Sequence, residues 1–97
     1  MIRFVLTRKA ETDLRQIAAF TEQRWGRNQR NAYVRQLDAA FNRIADNPLL
    51  GKRCDDIRPG YRKLAHGSHV IFFRQSADGF TEIVRILHRS MDSDLQL

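Results

Sequence analysis

Hydrophobic positions along this chain follow two rhythms, and the change from one to the other divides the fold. Ala10, Leu14, Ile17, Ala18, Thr21 and Trp25 recur at helical spacing, with Arg, Glu, Asp and Gln filling the gaps. That pattern predicts an amphipathic helix with one stripe facing a core. Thr7 stands where a hydroxyl can cap the open N-terminal turn, and Gly26 where a left-handed residue can end the helix. Asn28 offers a cap for a second helix with the face Ala32, Tyr33, Leu37, Ala40, Phe41 and Ile44, closed by Asn47-Pro48. A link of about two or three residues folds the helices into an antiparallel hairpin.

After Pro48 the rhythm shortens. Leu49 to Gly60 reads as a loop, Tyr61 to His66 as a strand, Gly67-Ser68 as a tight turn and His69 to Gln75 as a second strand. Asp78-Gly79 turns the chain into a third strand, Phe80 to His88, and Ile2 to Leu6 forms a short strand before the helices. The expected fold class is α+β: an N-terminal strand, then a helical hairpin packed on one face of an antiparallel sheet with a C-terminal three-strand meander. Residues 1–97 form one domain.

The meander strands are apolar on both faces. Val70 and Phe72 oppose Ile71 and Phe73, and by simple alternation Val84 and Ile86 oppose Ile83 and Leu87. Strands of this kind need cover on both sides, and two helices supply it on one. The second face is therefore expected to lie bare, awaiting another polypeptide. Phe72 and Val84 are the expected centre of the core.

Composition narrows the function classes. The 97 residues include 42% hydrophobic and 29% charged side chains, ordinary for a globular domain. The longest apolar run, Val70 to Phe73, is far shorter than the ~20 residues of a membrane helix. Phe4-Val5-Leu6 is too brief for a secretory core, and Cys54 is the sole cysteine, which points to a cytoplasmic protein without disulfides. Neither a membrane nor a cofactor is expected. The net charge is +6, and every basic residue except Lys9, Lys52 and Lys63 is arginine. Guanidinium pairs bidentately with carboxylate or phosphate, which suits an acidic protein partner.

Candidate chemistry is sparse. His66 and His69 flank the Gly67-Ser68 turn, but zinc wants three or four ligands, so paired turn residues are the plainer reading and no metal is expected. Asp55-Asp56 reads as a loop acid pair. The one enzymatic constellation is basic: Arg58, Arg62, Arg85 and His88 could surround an RNA phosphate, arginines stabilising charge and the histidine moving a proton.

The blocks GSHVIFFR and EIVRILHRSMD, with DDIRPGYR and RWG upstream in the same order, resemble ParE-type toxins of type II toxin–antitoxin systems, within the RelE/ParE superfamily. The resemblance implies a plasmid- or chromosome-stabilisation toxin that inhibits DNA gyrase by protein–protein binding. It also implies neutralisation by a ParD-type antitoxin in a hetero-oligomer, perhaps a heterotetramer, whose flexible segment wraps the toxin. Arg58, Tyr61, Arg62, Arg74 and Arg85 are the expected antitoxin contacts. His88, Met91 and Asp92, near the chain end, are the expected target contacts. No sequence-specific nucleic-acid binding is expected. The alternative is a ribosome-dependent mRNA endoribonuclease of the RelE type using Arg58, Arg62, Arg85 and His88. Those relatives carry a tyrosine or second catalytic group near the last strand, where this chain has Arg89-Ser90-Met91-Asp92, so the expectation leans away from an enzyme. The tyrosines stand elsewhere, Tyr33 on the buried stripe of the second helix and Tyr61 just after the loop.

Overall fold

The computed structural model describes residues 3–91 and 97. Strand β1 (Phe4–Leu6) leads into helix α1 (Arg8–Trp25) and helix α2 (Arg27–Asp46); β2 (Lys52–Arg53), β3 (Arg62–His66), β4 (His69–Gln75) and β5 (Thr81–His88) follow. The sheet runs β1-β5-β4-β3-β2. β1 pairs parallel to β5 while the other pairs are antiparallel, so the sheet is mixed rather than purely antiparallel. Parallel pairing follows from the connection: the helical hairpin lies between β1 and its neighbour, giving the chain room to cross over.

Thr7 anchors the first helix to the sheet. Its side-chain oxygen caps the Ala10 amide at 3.1 Å, its hydroxyl donates to the Val84 carbonyl at 2.7 Å, and its amide donates to the Ile83 carbonyl at 3.0 Å. The Val84 carbonyl needs that partner because β5 bulges there. Phe72 faces Arg85 and Phe73 faces Ile83, leaving Val84 without a partner on β4.

The bulge also changes which residues share a face. Ile83 and Ile86 both enter the main core with Ile71, Phe73, Leu37, Phe41 and Ile44, in place of the opposition that simple alternation predicts. Val84 is only half-buried, whereas Phe72 is 1% exposed.

Gly26 alone separates the helices and serves as the N-cap residue of α2 in place of Asn28, which lies inside the helix. Trp25, expected on the core stripe, is 65% exposed.

The second sheet face is not bare. Cys54, Phe72 and Leu87 form a buried cluster on which Ile57, Tyr61, Val70 and Leu97 pack. The cover is the segment after β2, folded on itself. The Cys54 amide donates to the Tyr61 carbonyl, and the Ile57 and Arg58 amides donate to the Cys54 carbonyl. The Asp55 carboxylate accepts the Gly60 amide at 2.7 Å. Arg58 Nη2 donates to the Leu97 carbonyl at 2.8 Å. A loop pinned by its own amides thus supplies the cover expected from a partner. Among the described residues, no helix is long and apolar enough to cross a membrane.

Candidate functional site: a groove at the tip of the helical hairpin

Helix α1 sets off from the bulge and outruns the strand it lies along. From Thr7, bonded at Ile83 and Val84, to Trp25 the helix rises about 27 Å at ~1.5 Å per residue. From Val84 to its end at His88, β5 advances only about 13 Å. The last turns of α1 therefore overhang the strand end. Beneath them opens a groove of about 540 Å3, walled by Gln16, Ile17, Phe20, Thr21 and Trp25 of α1 and by Gln29 and Tyr33 of α2. Ser68, His69, Ile86, Leu87, His88 and Met91 form its floor and far lip. Three large apolar side chains on the groove lie in solvent: Phe20 at 61%, Trp25 at 65% and Met91 at 49% exposed. Exposed apolar residues scattered singly mean little; three around one concavity mark an interaction site. Arg24 stacks over the Trp25 ring with its guanidinium carbon 5.7 Å from the centroid.

The groove is held open by buried polar bonds. Asp13, at the inner end, accepts Arg85 Nε at 2.7 Å and Arg85 Nη2 at 2.9 Å, and its Oδ2 also takes the Ile86 amide at 3.0 Å. This bidentate pair ties α1 to β5 just past the bulge. The hydrogen bonds from Asp13 raise the Arg85 pKa further above its usual value, so the guanidinium stays charged.

At the other end, His66 pairs with His69 across the turn and His69 with His88 across the next strand, forming a row of three imidazoles. The Tyr33 hydroxyl reaches into that row, 2.7 Å from His69 Nδ1 and 3.2 Å from the His66 carbonyl. The His69 and His88 rings meet edge-on at 5.6 Å, and His88 Nδ1 bonds the Ser90 hydroxyl at 2.7 Å. Among the described residues no three His, Cys, Asp or Glu side chains converge as a metal site.

The residues named from sequence are distributed unevenly about this groove. His88 and Met91 line it, and Asp92 lies outside the described residues. Arg85 is tied beneath it to Asp13, with 14% of its side chain exposed. Arg58, Tyr61 and Arg62 belong to the loop and β3 instead: Arg58 reaches the Leu97 carbonyl and Arg62 the Leu49 and Gly51 carbonyls. Arg74 sits one position beyond the residue facing Arg62 and pairs with Glu82 at 2.9 Å. The four residues of the nuclease constellation are therefore not gathered around one point. Arg62 and His66 mark opposite ends of β3, about 13 Å apart, and His88 stands at the His66 end.

Tyr33, Phe20 and the imidazole row escape a reading by periodicity. Tyr33 sits on a core stripe, yet its hydroxyl needs a polar partner, and that demand was the available signal.

The fold and the whole length agree with known proteins. The pattern of the family described as ParE toxin of type II toxin-antitoxin system, parDE, matches residues 4–93. The chain belongs to the ParE toxin family. Toxin ParE1 of Mycobacterium tuberculosis is 45% identical over 95 residues, covering 98% of this chain and 97% of the relative. Toxin ParE1 of Caulobacter vibrioides is 42% identical over 92 residues, covering 95% and 94% respectively. Toxin ParE of Escherichia coli is 32% identical over 92 residues, covering 95% of this chain and 89% of that one. A solved structure described as the chromosomal ParDE TA system from P. aeruginosa shares the ParE fold here at a TM-score of 0.75. It is 22% identical and covers 91% of this chain and 96% of that one.

Proposed function

We propose that this ParE-family toxin inhibits DNA gyrase by protein–protein binding and is neutralised by a ParD-type antitoxin. The observation that carries the reading is the groove under the α1 overhang, where Phe20, Trp25 and Met91 stand exposed around one apolar concavity. Aromatic and methionine side chains of that kind anchor protein interfaces. Of the target contacts expected from the family resemblance, His88 and Met91 lie on this lip. Inhibition by docking asks for buried apolar area and shape, which the groove offers, rather than for a proton relay. The antitoxin has a separate surface in this account. Arg58, Tyr61, Arg62 and Arg74 lie at the loop and the far end of the meander, where an acidic segment would meet guanidinium groups. Toxin and antitoxin would act in the cytoplasm, as a hetero-oligomer.

The test is a supercoiling assay with purified gyrase beside a cell-free translation reaction. The wild-type chain should stop supercoiling and leave translation running. A Phe20→Ser/Trp25→Ser variant should lose at least about tenfold in potency while keeping its fold, because both side chains are already in solvent. Arrest of translation with messenger cleavage, and gyrase untouched, would overturn the proposal in favour of the endoribonuclease.

A further inference from the structure

The groove contains a feature that protein docking alone does not explain. Ionisable groups in its lining are Asp13 from α1, Tyr33 from α2, His69 from β4 and His88 from β5, with His66 of β3 just behind Tyr33. Asp13 is committed to Arg85 and the Ile86 amide. Tyr33 is held further in its neutral form by burial. That leaves the imidazoles to change charge near neutral pH.

We propose that His69 and His88 make the groove a proton-controlled docking surface, receptive to apolar segments when both rings are neutral and closed to them when they are charged. The geometry permits both states without breaking the local network. With His69 neutral, Nδ1 can accept the Tyr33 hydroxyl proton across their 2.7 Å contact. With His69 protonated, Nδ1 becomes a donor, the hydroxyl oxygen accepts, and the hydroxyl proton turns to the His66 carbonyl at 3.2 Å. Tyr33 thus serves either direction, and Gly67 keeps it seated: a Cβ there would come 2.8 Å from the Tyr33 oxygen.

What changes between the two states is charge. His69 is half-buried with the His88 ring edge-on against it at 5.6 Å, so a protonated pair would put adjacent like charges on the floor of an apolar groove. The carboxylate among the lining groups is already paired with Arg85 and cannot neutralise them. An apolar segment entering the charged groove would bury those imidazolium groups without counter-charge, which is strongly disfavoured. Burial, then the nearby His88 and His66 charges, holds the His69 pKa below its ordinary value, so the neutral and receptive state prevails at neutral pH.

The biological consequence rests on this groove being the gyrase-docking surface, but the switch can be tested without gyrase. A neutral solvatochromic dye, Nile red, is titrated into the full chain between about pH 8 and about pH 5, with circular dichroism confirming the fold at each point. The wild-type chain should bind the dye saturably at the upper pH and about tenfold more weakly at the lower. The His69→Gln/His88→Gln variant should bind with little pH dependence. Absence of saturable binding at the upper pH, a flat wild-type profile, or an unchanged slope in the variant would each overturn the proposal. Should the double variant fail to fold, NMR titration of the wild-type imidazoles decides. Dye release must follow the His69 or His88 protonation curve, and release with a different midpoint overturns the assignment. Because no gyrase is present, a failed gyrase assay and a failed switch remain distinguishable.

Discussion

Replacing Asp13 by alanine removes the post that ties α1 to β5. The carboxylate makes two hydrogen bonds to Arg85 and accepts the Ile86 amide, and the side chains are 9% and 14% exposed. Breaking a buried ion pair from one side costs about 3–5 kcal/mol, because the remaining charge keeps its desolvation without its partner. Arg85 makes a further interaction in the fold, which places the expected loss toward the lower end, about 2–4 kcal/mol. A domain of this size has a total stability near the lower part of the ~5–15 kcal/mol range, so the variant should be visibly destabilised in urea. An Asp13→Leu/Arg85→Met double variant swaps the pair for apolar side chains and should recover much of the loss. The double-mutant cycle should give a coupling of at least about 1.5 kcal/mol. If Asp13→Ala unfolds within about 0.5 kcal/mol of wild type, or if the single losses simply add, the pair is not what holds the helix over the groove.

Thr7→Val keeps the shape of the side chain but removes the cap on Ala10 and the donor to the Val84 carbonyl, so it should cost about 1–3 kcal/mol and lower the thermal midpoint by several degrees. Gly51→Ala places a Cβ against the Lys63 carbonyl oxygen at a residue with φ of 84°, and should destabilise the β2–β3 edge. Hydrogen exchange should locate the damage at that edge first. Stability should also depend on pH through His69. Its folded pKa lies below the unfolded value of about 6.5, so the native state binds fewer protons, and its contribution is present at neutral pH and fades as pH falls below that value. Urea midpoints should drop from pH 7 to pH 5, more for the wild-type chain than for His69→Gln.

The helical hairpin and the meander were legible because their periodicities are strong and their stops are explicit. Thr7, Gly26 and the Gly67-Ser68 turn fall where the structure uses them. Simple alternation failed on β5 because one extra residue, Val84, flips the parity of everything beyond it, and a bulge leaves no mark in hydropathy. The same weakness produced the expectation of a bare second face. Cys54, Ile57 and Tyr61 are spread through a loop with no period, so their joint packing on Phe72 and Leu87 could not be read from spacing. Trp25 was assigned to the core because it fits the α1 stripe, and it is exposed because the stripe continues after its strand has ended. That last error marks the candidate site: an apolar stripe longer than the surface beneath it leaves its end for something else to cover.

Oxidative footprinting of the chain with and without gyrase tests this most directly. Phe20, Trp25 and Met91 are reactive and exposed in the free protein, while Phe80 and Leu49, at 42% and 72% exposed, serve as controls away from the groove lining. Under conditions where supercoiling is inhibited, labelling of the first three should fall sharply and that of the controls should hold. Full labelling of Phe20, Trp25 and Met91 in the inhibited complex would contradict the account.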